Sequence, residues 1–211
     1  LLETIAKTGM NIEEVGNWLV ARHAEEANAY LAEINPDMRG EDRFKLSGMS
    51  NAEAQEILSA NSNNSALQDV GRQVDRMNKL RVSLLVQEGL ITEDMGRAWQ
   101  SRYDHYVPLM RAEASGLDLL PSRGQGFSVS GKESKMRTGS ADWTPDKIIT
   151  HTIAQMESSL VRAEKNKVGT SLLNLVQEHP DQNFWYVDTE RKTKAVRDGK
   201  VVEGIKPFDS D

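Results

Sequence analysis

Apolar residues return every third or fourth position along three long stretches of this chain, and that spacing commits most of it to α-helix. In the first stretch Ile12, Val15, Leu19, Ala27, Tyr30, Leu31 and Ile34 fall near one face, while Glu13, Arg22, Glu26 and Glu33 fall away from it. Asn11 is placed to cap this helix and Glu14 to reach back to it, the reciprocal pattern of a capping box. Pro36 stops it. In the second stretch Leu67, Val70, Val74, Met77, Leu84 and Leu85 form the stripe of a helix ending near Gly89. In the third, Ile149, Ile153, Met156, Leu160, Val168, Leu172 and Val176 predict one helix from Thr144-Pro145-Asp146 to Glu178, roughly 50 Å long at about 1.5 Å per residue.

Shorter signals fill the gaps. Gly40 to Gly48 reads as a charged loop, and Ser50-Asn-Ala-Glu53 as a second capping box opening a short helix to about Ser59. Asn61 to Ser65 is a polar break. Thr92, followed by Glu93 and Asp94, caps a helix ending near Tyr103, so Gly89 turns two helices back on each other as a hairpin. From about Met110 to Trp143 the periodicity disappears among Gly116, Gly124, Gly126, Gly131 and Gly139, which reads as a long mobile loop or linker between subdomains. After Pro180 the period becomes two. Phe184 to Val187 reads as a strand, and Ala195 to Val202 as a hairpin turning at Asp198-Gly199.

The expected architecture is therefore mainly α: elongated helical hairpins or a bundle with one long helix, then a small C-terminal β-hairpin. Residues 1–109 form an acidic helical region, 110–143 a Gly/Ser-rich loop or linker, and 144–179 the long helix. Residues 180–211 begin a further subdomain, because two strands alone bury too little of a sheet face.

Composition narrows the function. Aromatics are only 6% of the 211 residues and apolar residues 38%, which suits elongated helices better than a thick globule. No apolar run approaches the length of a membrane span. There is no cysteine, which excludes disulfides, thiolate zinc sites and cysteine nucleophiles. The net charge is -6, and residues 1–60 carry all of it, with five Lys/Arg against eleven Asp/Glu. An acidic front and a balanced remainder resemble an interaction surface more than a nucleic-acid clamp. Leu1-Leu2-Glu3 has no initiating Met and no signal-peptide character, so the chain reads as a piece of a longer protein.

No catalytic, cofactor or metal site emerges. His23, His105, His151 and His179 have no Cys or His companions at metal-ligand spacing; His23 with Glu26 offers one ligand pair where a di-metal bundle needs several, and the four read as surface or capping histidines. His105 beside Asp104 lacks the strained Gly-x-Ser-x-Gly turn that marks one kind of nucleophile. Glu133-Ser134 and Glu157-Ser158 repeat a dipeptide of lytic transglycosylases without the element that should follow it. Gly124-Gln-Gly126 lacks the Lys-Ser/Thr ending of a phosphate loop. Arg123, Lys132, Lys135 and Arg137, with Phe127 among them, could track a phosphate backbone. Asp118, Glu133 and Asp142 dilute that charge, and a solvated linker is the plainer reading. Trp99, Tyr103 and Tyr106 fall at i, i+4 and i+7 and predict one face of a terminating helix. Pro108 then forces Val107 to be extended, so with Leu109 these residues read as a structural anchor pinning the start of the loop.

The segment Tyr103-Asp-His-Tyr-Val-Pro-Leu109 resembles the Tyr-Val-Pro-Leu segment of the very large polyvalent proteins of tailed bacteriophages. The family pattern continues with a variable glycine-rich stretch. It then has a helix similar to Ile153-Ala-Gln155 through Val161-Arg-Ala-Glu-Lys-Asn-Lys-Val-Gly169, a strand similar to Phe184-Trp-Tyr-Val187, and a basic stretch with a hairpin. Gly48 to Ala54 is similar to the segment upstream. The likeness covers roughly residues 45–208, and Arg162, Glu164, Lys165 and Asn166 are its most specific part. Met110 departs from the family, which has Arg or Lys and then Gly there.

The resemblance implies a non-catalytic structural or interaction module of an internal virion protein. Such proteins are packaged in the capsid and delivered with the genome during DNA ejection, reaching the host cell envelope or cytoplasm. The expected partners are other domains of the same long chain, other virion and ejection proteins, a second copy, and DNA. The alternative is an accessory domain of a phage polymerase, helicase or methyltransferase, guiding nucleic acid with Arg123, Lys132, Lys135 and Arg137.

Overall fold

The computed structural model describes residues 1–37, 40–109, 143–181, 183–187, 195–197, 200–202 and 205–207. Most of these residues are helical. The α-helices among them are α1 Leu2–Ala6, α2 Ile12–Ile34, α3 Asn51–Ala60, α4 Ser65–Gln87, α5 Glu93–Arg102 and α6 Ile148–Glu178, with 3-10 turns at Gly40–Phe44 and Pro145–Lys147. The described residues divide into two compact units. The first comprises 1–37, 40–80, 98–109 and 143–157, and the second comprises 81–97 and the described residues from 158 onward.

In the first unit α2 is the central element. Its start is fixed by the two bonds of the capping box: the Glu14 amide donates to Asn11 Oδ1 at 2.9 Å, and the Asn11 amide to Glu14 Oε2 at 2.8 Å. Its burial is wider than the stripe expected from the sequence. Val20, Ala21, Ala24, Asn28 and Ala32 are buried together with Val15, Leu19, Ala27 and Leu31, whereas Ile12 is 42% exposed. Small alanines let neighbouring elements approach from several sides, so the helix is packed nearly all round instead of along one face. With Trp18 of the same helix, Met49, Ala54, Leu67, Val70, Val74, Val107, Ile148 and Ile149 around it complete one apolar cluster.

Two glycines make that packing possible. A Cβ on Gly16 would overlap the Pro145 carbonyl oxygen and lie 2.7 Å from its carbon, so the 3-10 turn seats directly on α2. A Cβ on Gly71 would overlap the Arg22 guanidinium and lie 2.9 Å from the Trp18 ring, so α4 comes equally close. The charged loop before α3 is held by Asn28, which is 1% exposed. Its Nδ2 donates to the Phe44 carbonyl (2.7 Å), the Met49 carbonyl (3.0 Å) and Asn51 Oδ1 (2.7 Å), and its Oδ1 accepts from the Ser47 amide at 2.6 Å. Ser50 caps α3 by accepting from the Glu53 amide at 3.1 Å, one of the two bonds of the capping box expected there.

In the second unit Gly89, with φ of 68°, turns the end of α4 into α5. The amides of Leu90 and Ile91 return to the Leu85 carbonyl at 2.9 and 3.2 Å, satisfying an acceptor the helix end leaves open. Gly96 permits close contact here, because a Cβ would lie 2.6 Å from Val86 Cγ2. Thr92 caps α5 through the Met95 amide at 3.2 Å.

The long helix departs from expectation in two ways. Thr144 makes no side-chain capping bond, and Pro145–Lys147 is a 3-10 turn, so the α-helix proper begins at Ile148. Its buried face is also rotated from the expected stripe. Of the stripe Ile149 and Val176 are buried as expected, but Ile153, Leu160, Val168 and Leu172 are exposed, while Ser159, Ala163, Asn166 and Leu173 are buried in their place. Small residues at 159 and 163 allow the close approach that larger leucines would prevent.

Beyond α6 the backbone has three-residue strands: β1 Trp185–Val187, β2 Ala195–Arg197, β3 Lys200–Val202 and β4 Ile205–Pro207. They pair antiparallel as β1 with β4 and β2 with β3. The turn expected at Asp198-Gly199 and the loop or linker expected at 110–143 lie outside the described residues, apart from Trp143 at its end. Trp143 belongs to the first unit, where its Nε1 donates to the Ser47 carbonyl at 2.8 Å. No helix among the described residues is long and apolar enough to cross a membrane.

Candidate functional site: the tethered segment after the fifth helix

Tyr103 to Leu109 follows α5 and lies against α2 and α4. A continuing helix would send the amides of residues 104 and 105 back to its own carbonyls. Instead the Glu26 carboxylate of α2 takes them, from Asp104 at 3.0 Å and from His105 at 3.3 Å. The chain leaves the helix at Arg102, so Trp99, Tyr103 and Tyr106 do not share the helix face expected for them. Tyr103 and Tyr106 stack on each other with centroids 5.9 Å apart, and His23 of α2 meets both rings edge-on at 4.8 and 5.7 Å. Tyr30 meets Tyr103 at 6.0 Å and carries the Arg102 guanidinium over its own face at 4.5 Å. Trp99 is half-buried on α5 and is in none of these described ring pairs.

A second tie is ionic. Arg22 of α2 donates to both oxygens of Asp75 of α4, the shorter bond being 2.5 Å. His105 sits over this pair, with Nδ1 2.7 Å from Arg22 Nη2 and 3.2 Å from Asp75 Oδ2. A guanidinium nitrogen only donates, so the shorter contact makes Nδ1 an acceptor and puts the proton of a neutral His105 on Nε2. Asn78 of α4 adds a bond from Nδ2 to the Tyr106 carbonyl at 2.7 Å, and Gln155 of α6 reaches the Tyr106 hydroxyl at 3.3 Å.

These ties set the charges. Burial resists ionisation of Glu26, but its bonds with His23 and the amides of Asp104 and His105 outweigh this and lower its pKa. Burial likewise opposes the charge on Asp75, and the His105 ring and Arg22 guanidinium beside it more than offset this, so its pKa is also lowered. Burial pushes the Tyr103 phenol up to about 12. The segment ends in the core, with Val107 2% exposed, Pro108 buried and Leu109 packed on the apolar cluster. Tyr103, Tyr106, Pro108 and Leu109 are thus brought together, with Trp99 to one side.

The other residues singled out from the sequence are placed differently. Of the family-like helix motif, Asn166 is buried and donates from Nδ2 to the Glu88 carbonyl at 2.7 Å, whereas Glu164 is exposed and Arg162 and Lys165 are half-buried. Arg123, Lys132, Lys135 and Arg137 lie outside the described residues. His23 and His151 are buried, which corrects their reading as surface or capping groups. Sequence reasoning also missed Arg22, Glu26 and Asp75 as tethers. Arg22 and Glu26 sat on the polar side of α2, where a solvated charge and a partnered one look alike. Among the described residues no group of three or more His, Asp or Glu is placed to hold a metal ion. Compared with protein-family models, curated proteins and solved structures, the chain matches none.

Proposed function

We propose that this chain is a structural or interaction module of a large internal virion protein of a tailed bacteriophage, delivered with the genome into the host during ejection. The observation that carries this reading is the fate of the residues on which the resemblance rests. Tyr103 to Leu109 are tied down by Glu26, Asn78 and the apolar core, and Asn166 is spent on a backbone carbonyl, so these positions serve folding. A motif that exists to pack is what a scaffold module needs.

In this reading the partners are the other domains of the parent chain, other virion proteins, a second copy, and DNA. Residues 180–211 open a further subdomain with a β-hairpin, a view supported by the pairing of Ala195 with Val202. Peptide mass spectrometry of purified virions tests the proposal. Peptides from this chain inside the particle support it. Peptides found only in infected cells overturn it, and favour the nucleic-acid-guiding alternative built on Arg123, Lys132, Lys135 and Arg137.

A further inference from the structure

Two carboxylates on two helices meet at the same two residues, Asp104 and His105. Glu26 takes the amides of Asp104 and His105, and Asp75 with Arg22 takes the His105 ring. Among the described contacts, the titratable or charged groups around them are Arg22, His23 and Tyr30 from α2, Arg102 from α5, and Tyr103, Asp104, His105 and Tyr106 from the segment itself. From α6 the near group is the neutral Gln155. Residues 107–109 are held otherwise, by apolar contacts that no proton alters.

We propose that residues 104 and 105 form an acid-released latch, in which protonation of Glu26 and Asp75 frees them from α2 and α4 while Tyr106 stays on Asn78 and Gln155 and residues 107–109 stay embedded in the core. A protonated Asp75 no longer forms an ion pair with Arg22, the group that holds the His105 ring at Nδ1. Glu26 loses its charge-assisted hold on two amides at the same time.

The direction follows from linkage. A carboxyl whose pKa is lowered on folding contributes stability above its unfolded value and loses it as pH falls through the folded value. The ordinary values are 4.5 for Glu26 and 3.8 for Asp75, so the latch holds at neutral pH and opens below that range. The apolar cluster around α2 has no such dependence. Opening is therefore local before it is global.

Residue-resolved hydrogen exchange on the full chain between pH 7 and pH 3, corrected for intrinsic exchange, tests the latch. Protection of the Asp104 and His105 amides is expected to be lost while that of Leu19 and Val20 is kept. Loss of protection at all four amides together, or at none, overturns the proposal, and this comparison needs no variant. In the E26Q/D75N double variant the pH-dependent part of the loss is expected to vanish. Persistence of the wild-type profile in a folded double variant also overturns it.

Discussion

Gly16 is the position where a single methyl group is expected to cost most. It lies in α2, where alanine is intrinsically better than glycine by roughly 0.5–1 kcal/mol, so propensity alone predicts that Gly16→Ala stabilises. The structure reverses the sign. The added Cβ meets the Pro145 carbonyl, a backbone group at the turn that starts α6, and no side-chain rotation relieves the overlap. Overpacking typically costs about 1–3 kcal/mol, and a backbone obstacle belongs at the upper end. With a urea slope of about 2–3 kcal/mol/M, the midpoint falls by roughly 1 M. Two further glycines calibrate the experiment. Gly71→Ala meets chiefly the Arg22 guanidinium, which can move at the cost of its pairing with Asp75, so a smaller loss is expected. Gly169→Ala meets nothing within 4 Å and is expected to gain the propensity difference. Urea titrations followed by circular dichroism rank the three. A Gly16→Ala midpoint equal to or above wild type refutes the close seating of the turn on α2.

Asn28→Leu removes one acceptor and three donor contacts at a site 1% exposed, taking the Asn28 acceptor from the Ser47 amide and leaving the Met49 carbonyl only the Ser47 hydroxyl. A loss of about 3 kcal/mol is expected, measurable by urea titration, and a loss below about 1 kcal/mol contradicts the role given to it. The Tyr103 phenol, raised to about 12, binds its proton more tightly in the folded chain than unfolded. Stability is therefore expected to hold up to about pH 10 and to decline as pH rises toward about 12. Tyr103→Phe should flatten that part of the pH–stability curve, and an unchanged curve counts against the burial of this ring. Leu109 and Trp143 both pack on the apolar cluster of the first unit, so residues 1–109 and 143–211, produced as separate chains in one cell, are expected to co-purify. Recovery of either alone removes the case for a shared core.

The parts of the fold that the sequence announces are those whose hydrogen bonds close within one turn. Asn11 and Glu14 lie three residues apart, and so do Ser50 and Glu53; Gly89 needs only its own φ. Each motif is fixed by neighbours in the chain, so its pattern survives whatever surrounds it. The stripe expected on α6 has the opposite property. It runs through the largest residues, but the face that packs is set by how near other backbone can come, which favours Ser159, Ala163 and Asn166.

The end of α5 shows the same competition within a single residue pair. The spacing of Trp99, Tyr103 and Tyr106 is helical, and nothing local before Pro108 forbids the helix from continuing. What ends it at Arg102 is an acceptor from another element. A carboxylate at position 26 outbids backbone carbonyls for the amides of 104 and 105, because a charged acceptor makes the stronger bond. Once those amides turn away, the aromatics rotate off their common face onto His23 and Tyr30, and His105 falls over the Arg22–Asp75 pair. The anchor reading of this segment thus rests on residues that follow no sequence period of their own. Glu26 and Asp75 occupy positions that a solvated helix surface would fill with the same residue types. A charge on the polar side of an amphipathic helix carries no mark of the partner awaiting it, and only the fold supplies one.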